Sequence, residues 1–363
     1  MKKIVFLINA SSGLYDFRNE LVEELLKKYE VVASVPDDRK TKELEAEGVK
    51  VIHTPINRRG VNPKEDLKLY HAYRKLIREE RPDLVLTYTI KPTIYGGYAA
   101  AKCEVPYIST ITGLGSAFER TGLFKKMIVA MYKVAFKKVS CVFFQNETNR
   151  RIFEECGIIT NQKTKMVSGS GVNLEAHPFT DYPEETDGTL FLYMGRNMKE
   201  KGTDELLQAA YHYRDRQDVH FLLLGYSEED YKDVLADYES KGILSTHDFV
   251  SNVNEYVARA SAVVLPSYHE GMSNVLQEAS AMGRPVIATN IPGCREIFEE
   301  GVTGFGCEPG SAESLIGAMD RFLALSREER ITMGRRAHEK VKREFNRENV
   351  VQAYVEEIQK TML

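Results

Sequence analysis

Short apolar runs bounded by turns alternate with longer segments of helical periodicity, and the alternation occurs in two series along the chain. The first series is KIVFLIN, a helical stretch over about residues 17–28, EVVASVP, KVIHTPI, DLVLTYT, VPYISTI and CVFFQN; the second is LFLYMGR, VHFLLLG, AVVLPSY and PVIAT. Strand, helix and strand in succession build a parallel sheet, so the pattern predicts an α/β protein with two Rossmann-like, doubly wound parallel-sheet domains. A length of 363 residues suits two domains. Between the series, NLEAHPFTDYPEETDG over 173–188 carries two prolines and five acids and reads as an interdomain connection. The expected division is an N-terminal domain over 1–172, a linker over 173–188 and a C-terminal domain over 189–344. A final helix over 345–363, after a break near Phe345 and Asn346, is expected to pack back on the first domain.

Ligands of open α/β sheets collect at the carboxyl ends of the strands. Two such domains facing a cleft would let one hold a nucleotide and the other a second substrate. Composition removes other classes: 43% hydrophobic and 28% charged residues exclude a disordered or membrane-spanning chain. With 49 Lys plus Arg against 53 Asp plus Glu, no basic excess points to nucleic acid. The five cysteines form no C-x-x-C pair, so neither a zinc site nor a disulfide framework is indicated, which fits a reducing cytoplasm. The opening MKKIVFLINASSG mimics a secretory leader, but Asn9 interrupts it and Asp16, Arg18 and Glu20 follow, so it reads as a buried strand. There is no D-x-D pair and no His/Cys/carboxylate cluster at metal-ligand spacing, so no catalytic metal or other cofactor is expected.

The segment from Leu265 to Thr289, LPSYHEGMSNVLQEASAMGRPVIAT, carries the most chemistry. A strand delivers Glu270 and Gly271 to a turn, and the next helix carries Glu278, eight residues beyond Glu270. If that helix starts near Ser273, the free amides of Gly271, Met272, Ser273 and Asn274 crown it and offer donors to sugar hydroxyls or phosphate. Two glutamates alone also fit a capped helix with a solvated Glu278. A second segment, YMGRNMKEKGTDELLQAA over 193–210, places Arg196 at a strand end, Lys201 five residues on and Gly202 at a helix entry, with Thr203 as its expected cap. Two cations at such a turn suit a diphosphate whose charge must be stabilised as it leaves; a solvated Arg and Lys fit equally short strings. In the first loop, NASSGLYDFRNEL, Ser11, Ser12 and Gly13 are small enough for close backbone approach to a ligand, or simply make a tight turn.

With these segments the sequence resembles glycosyltransferase family 4, the retaining sugar-nucleotide transferases of GT-B fold, whose paired glutamates are spaced as Glu270 and Glu278 are here. The resemblance spans essentially the whole chain. It implies that Glu278 holds the ribose hydroxyls and Glu270 lies beside the donor sugar, with the amides from Gly271 to Asn274 completing the donor site. The family string G-R-x-x-x-x-K-G is present as Gly195, Arg196, Lys201 and Gly202, which implies that Arg196 and Lys201 bind the donor pyrophosphate. Gly13 would approach the same diphosphate when the domains close. Front-face reaction, in which the departing diphosphate takes the acceptor proton, would make Arg196, Lys201 and Glu270 the catalytic set without an enzymic nucleophile. A glycosidase use of the glutamates fits less well, because one of them is needed for ribose.

TYTIKPTIYGGYAA over 87–100 and TITGLGSAFERTG over 110–122 resemble the members that build capsule, O-antigen or N-glycan precursors on a polyprenyl diphosphate. Lys91 and Thr112 are the expected acceptor-binding residues there; Thr112 stands where many members carry a histidine. His269 reads as structural. Arg58 and Arg59 of INRRGVNP would suit the acceptor diphosphate or serve only solubility. In GLFKKMIVAMYKVAFKKVSC, over 122–141, Lys126, Lys133 and Lys137 share one stripe, and Phe124, Met127, Ile128, Met131, Ala135 and Val139 the other face. That pattern fits a sheet-packed helix and also a peripheral contact with anionic lipid. The whole reading is a retaining transferase that moves a hexose or N-acetylhexosamine from a UDP-sugar to a polyprenyl-diphosphate-linked saccharide. It would work at the inner face of the cell membrane, with no nucleic-acid partner. The alternatives are a sugar-nucleotide 2-epimerase of the same fold and a noncatalytic nucleotide-sugar sensor or partner subunit.

Overall fold

A computed structural model describes residues 1–363 except 38, 58–61, 115–117, 119–121, 249 and 251. The chain divides into two compact units, one made of Met1–Ser170 with Glu348–Leu363 and the other of Gly171–Arg347.

The first unit holds a seven-stranded parallel sheet in the order β3-β2-β1-β4-β5-β6-β7. Its strands are β1 (Lys3–Leu7), β2 (Glu30–Val35), β3 (Lys50–His53), β4 (Leu84–Tyr88), β5 (Tyr107–Ile111), β6 (Cys141–Phe144) and β7 (Thr164–Met166). The central strands are apolar on both faces, and β4 and β5 are buried at every position, as a sheet covered by helices on both sides requires. The helices are α1 (Ser11–Leu26), α2 (Thr41–Ala46), α3 (Pro63–Glu80), α4 (Gly97–Lys102), α5 (Leu123–Ala135) and α6 (Glu147–Glu155). Helix α1 begins earlier than its periodicity suggests, because Arg18 interrupts it with non-helical φ −143° and ψ 16°; the regular pattern starts after that kink.

The second unit holds a six-stranded parallel sheet in the order β10-β9-β8-β11-β12-β13. Its strands are β8 (Thr189–Met194), β9 (Val219–Leu224), β10 (Ser245–His247), β11 (Ala262–Leu265), β12 (Val286–Thr289) and β13 (Gly304–Cys307). Around them lie α7 (Thr203–His212), α8 (Glu229–Ser240), α9 (Val253–Arg259), α10 (Asn274–Ala281), α11 (Ala312–Leu323) and α12 (Arg327–Glu344). A last helix, α13 (Arg347–Thr361), follows the break after Glu344. From Glu348 onward this helix belongs to the first unit. Val350, Tyr354, Ile358 and Met362 enter the core over β1, β4 and β6, and buried Glu357 pairs with Lys163 at 2.8 Å and Lys165 at 3.1 Å.

Residues 173–188, expected as a linker, belong to the second unit. The reason is Arg284, which has no exposed surface. Its guanidinium donates to the carbonyls of Thr180, Asp181, Val257, Ala258, Met282 and Gly283, and to Thr180 Oγ1 at 2.8 Å. Burial lowers its pKa to about 10, so it stays charged at neutral pH. The cation faces the carbonyl ends of α9 and α10, where a positive charge is favoured. Tyr182, in the same segment, is buried beside it. Removing the guanidinium would leave several carbonyls buried without donors, each costing about 1–3 kcal/mol. Arg284→Met is therefore expected to lower the stability of this unit by at least about 3 kcal/mol, read as a fall in the urea midpoint of its unfolding transition.

Candidate functional site

In both sheets the strand order reverses direction next to the first strand of its series, between β1 and β4 and between β8 and β11. Loops leaving neighbouring strands there turn to opposite faces and leave an opening at the carboxyl edge.

At the β8/β11 position, β8 ends at Met194, and Gly195 and Arg196 begin its loop. The Tyr193 hydroxyl donates to the Arg196 carbonyl at 2.7 Å and fixes the turn. A 3-10 turn over Lys199–Lys201 follows, then Gly202 at φ +73°. A Cβ on Gly202 would strike the Pro266 carbonyl, so this position demands glycine twice over. Thr203, expected as the helix cap, is instead the first residue of α7; its hydroxyl donates to the Met198 carbonyl at 3.0 Å and accepts from the Met198 amide at 2.9 Å. The loop is thereby closed on itself, and Lys201 projects to the neighbouring loop, where Nζ meets Glu270 Oε1 at 2.5 Å. Both side chains are largely shielded, with 24% and 14% of their surface exposed. Arg196 is exposed and, among the described residues, makes no ion pair.

After β11 the chain runs through Tyr268, whose amide donates to the Glu200 carbonyl at 2.9 Å and so joins the two loops. Exposed His269 precedes Glu270. Ser273 is the N-cap of α10: its hydroxyl accepts from the Leu276 amide at 3.3 Å. Its own amide donates to the Gly293 carbonyl at 2.8 Å and is not available to a ligand. Gly271, Met272 and Asn274 are half-buried beside it. Glu278 lies on α10 with 18% of its side chain exposed. Burial pushes its carboxyl up to about 7, although the nearby Arg347 charge acts in the opposite direction. His177 Nε2 stands 4.0 Å from Glu278 Oε1, and His177 Nδ1 lies 2.8 Å from Asn254 Oδ1.

At the β1/β4 position of the first unit, Gly13 sits in the first turn of α1, and a Cβ there would meet Ile8 Cδ1 at an ordinary 3.4 Å. The fold of this unit therefore does not require glycine at 13. Ser11 is buried and bonded to Asp37. Arg18 donates to the Gly13 carbonyl at 2.6 Å and lies over the Tyr88 ring at 4.5 Å. At the end of β4, Thr89 holds φ +69°, a strained setting for a β-branched residue, and a π-helical turn over Pro92–Gly96 follows. Lys91, expected to bind the acceptor, is paired: Nζ lies 2.8 Å from Asp66 Oδ1, with 15% and 7% of the side chains exposed. Asp66 carries no motif, so nothing in the sequence marked it as that partner. Thr112 is half-buried after β5. Arg58 and Arg59 lie outside the described residues. Among the described residues, no group of three or more His, Cys, Asp or Glu side chains could hold a metal ion.

Residues 188–324 match the family described as glycosyl transferases group 1, and residues 3–146 the family described as glycosyl transferase 4-like. The chain is a glycosyltransferase, one such family matched in each of its halves. This transferase is 27% identical over 331 residues to the N,N'-diacetylbacillosaminyl-diphospho-undecaprenol alpha-1,3-N-acetylgalactosaminyltransferase of Campylobacter jejuni, covering 86% of this chain and 87% of that one. It is 25% identical to the capsular polysaccharide biosynthesis glycosyltransferase CapM of Staphylococcus aureus, over 95% of this chain and 93% of that one. Its fold is that of Anabaena HepE, solved in complex with UDP and glucose, with TM-score 0.81 and 17% identity over 99% of this chain and all of that one. The architecture of the transferase is GT-B.

The Lys201–Glu270 pair ties a motif cation to a motif carboxylate across the strand reversal. Lys201→Ala removes a preorganised cation and is expected to reduce sugar transfer by at least about 10²-fold. An unchanged far-ultraviolet dichroism spectrum would show the loss to be chemical rather than structural.

Proposed function

We propose that this glycosyltransferase moves a hexose or N-acetylhexosamine, with retention, from a UDP-sugar to a polyprenyl-diphosphate-linked saccharide during assembly of a surface polysaccharide or glycan. The observation that carries the donor half is the arrangement at the β8/β11 reversal. There Lys201 is anchored to Glu270 beside exposed Arg196, one helix start away from the buried carboxyl of Glu278. In this reading Arg196 and Lys201 neutralise the departing diphosphate, and the lysine's own pairing keeps its long chain ordered before the donor arrives. Glu270, with the turn from Gly271 to Asn274, orients the donor sugar. Glu278 accepts from the ribose hydroxyls. The diphosphate itself takes the acceptor proton, and no metal or other cofactor takes part. Support for a lipid-linked acceptor comes from the Campylobacter relative, whose name specifies a diphospho-undecaprenol substrate.

The acceptor half rests on Thr112 and Lys91, with Arg58 and Arg59. Because Lys91 is held by Asp66, its ammonium is partly neutralised and positioned rather than free. An acceptor phosphate would share it with that carboxylate. Contact with an anionic membrane is supported by α5. Ile128, Tyr132 and Ala135 are buried, whereas Leu123 is 84%, Met127 40% and Val134 42% exposed. These three share one stripe at helical spacing, bordered on one side by exposed Lys126 and Lys133, with exposed Lys137 just past the helix end. Met127, expected on the inward face, is thus at the exposed edge. An apolar strip bordered by lysines is the pattern of an interfacial helix. No helix among the described residues is long and apolar enough to cross a membrane.

Incubation in EDTA with UDP- and GDP-sugars and a short polyprenyl-diphosphate-linked saccharide is expected to yield a lipid heavier by one hexose or N-acetylhexosamine, from a UDP donor only. An isomerised sugar nucleotide without lipid product would instead identify a 2-epimerase, and tight binding without turnover a sensor. Lys126→Glu with Lys133→Glu is expected to weaken sedimentation with phosphatidylserine vesicles at least about tenfold, since each lysine near such a surface contributes on the order of 1 kcal/mol. Transfer to a detergent-dispersed acceptor should be unaffected.

A further inference from the structure

Just past the end of β11, Tyr268 grips the neighbouring loop at two points. Its amide donates to the Glu200 carbonyl at 2.9 Å, and its hydroxyl donates to Glu205 Oε1 at 2.8 Å. Lys201 lies between those two contacts along the chain. Glu270, which receives the Lys201 ammonium at 2.5 Å, follows closely after the tyrosine. One residue therefore brackets the lysine and also carries the lysine's carboxylate partner on its own loop. That loop is fixed to the sheet, because the Thr289 hydroxyl of β12 donates to the Ser267 carbonyl at 2.6 Å. The two loops are also in direct contact at Gly202, where a Cβ would come to 2.1 Å from the Pro266 carbonyl oxygen.

Glu205 is a costly partner for a tyrosine. It stands in the first turn of α7 with 8% of its surface exposed, and its Oε2 is covered and has no hydrogen-bond partner among the described residues. A carboxylate buried with one oxygen unpaired lowers stability in a way that an apolar side chain would not, although the amino end of a helix eases its charge. The lysine loop needs no such group to fold, since the Thr203 hydroxyl already closes it on the Met198 backbone at 2.9 and 3.0 Å. The adjacent Asp204 is engaged separately, by the Tyr231 hydroxyl of α8 at 2.8 Å. What the Tyr268–Glu205 bond adds is the placement of one loop against the other.

We propose that Tyr268 is a positioning residue for Lys201, its hydroxyl bond to Glu205 setting the lysine's loop against the loop of Glu270. The proposal rests on the reading of Lys201 as a cation that neutralises the departing diphosphate. Lysine carries its charge on a flexible four-carbon stem, so Nζ is only as well placed as the two points that hold it, its own backbone and Glu270. Both points are tied to Tyr268. Without the hydroxyl, the amide bond to Glu200 remains while the start of α7 is released, and the ammonium loses its fixed distance from the reacting bond. A cation that acts on developing charge is sensitive to such displacement, a misplacement of about 1 Å being enough to cost about 10²-fold in rate.

The test is UDP release in EDTA, with the UDP-sugar and the polyprenyl-diphosphate-linked saccharide that the native protein turns over. Tyr268→Phe keeps the ring and the amide bond, and is expected to lower kcat/KM roughly tenfold with an unchanged far-ultraviolet dichroism spectrum, the displacement being less than the 1 Å considered above. Glu205→Leu should show the same fall. Glu205→Gln, whose amide oxygen still accepts the hydroxyl, should stay within about threefold of the native rate. In a Lys201→Ala background Tyr268→Phe should have no further effect, which a general weakening of the fold would not reproduce. If either glutamate variant fails to fold, the tyrosine variant in the two backgrounds decides alone. Native rates in Tyr268→Phe, a Glu205→Gln rate as low as that of Glu205→Leu, or the same fall persisting in the Lys201→Ala background would each overturn the role of Tyr268 and leave the assignment of Lys201 standing. Undiminished transfer by Lys201→Ala alone, or no transfer by the native protein, would overturn that assignment and this proposal with it.

Discussion

Everything chemical in this chain depends on the reversal of strand order in its two parallel sheets. Every strand of a parallel sheet ends on the same edge, and crossover helices must cover both faces. Where the order turns back, successive loops are drawn to opposite faces, and groups far apart in sequence meet beside the gap. Lys201 and Glu270 are 69 positions apart and are nevertheless paired, because β8 and β11 are neighbours. Ser11 and Asp37 meet beside the corresponding reversal of the first unit, where a kinked helix, a left-handed Thr89 and a π-helical turn crowd together. Irregular backbone accumulates there because regular structure has run out, and each deviation re-aims a side chain that the sheet could not place.

The second unit adds a lock of its own. Arg284 gathers the carbonyls of residues 180–181, 257–258 and 282–283. Those three stretches follow, respectively, His177, Asn254 and Glu278. A cation with no surface exposure thus holds together the segments whose other ends bring His177 to 4.0 Å from Glu278. Among the described residues it makes no ion pair with a carboxylate, so that its charge is spread over peptide dipoles and helix ends instead of being cancelled at one point. Glu278 is compensated only in part, by the Arg347 charge, and burial pushes its carboxyl up to about 7.

Much of this was legible beforehand because it follows from periodicity and strings. Runs such as KIVFL and VHFLLL read as buried strands, and the strings put Arg196 just after a strand, Lys201 and Glu270 in loops that lead into helices, and Glu278 within a helix. What was not legible depends on partners distant in sequence. Nothing in TYTIKP announces that Lys91 will be neutralised by Asp66, and nothing in the Pro- and acid-rich stretch after Val172 announces that Arg284 will bind it down. Thr203 looks like a helix cap by residue type, yet the left-handed Gly202 usurps that position and frees the hydroxyl to staple the loop. The short strands β7, β10 and β13 escaped the apolar-run criterion because three or four residues at a sheet edge, such as STH and TKM, need little hydrophobicity. On α5 the error has a physical cause: an apolar residue at the margin of a stripe has no fixed side, and Met127 lies outward.

The return of the chain to the first unit has a consequence for how the protein comes into being. Residues 171–347 form a continuous compact body, whereas the first body is assembled from 1–170 and 348–363. During vectorial synthesis the second body has all its parts as soon as Arg347 has emerged. The first must wait, with the surface destined for Tyr354, Ile358 and Met362 uncovered over β1, β4 and β6 and with Lys163 and Lys165 lacking Glu357. The body whose synthesis starts first is thus completed only after the second, when residues 348–363 join it.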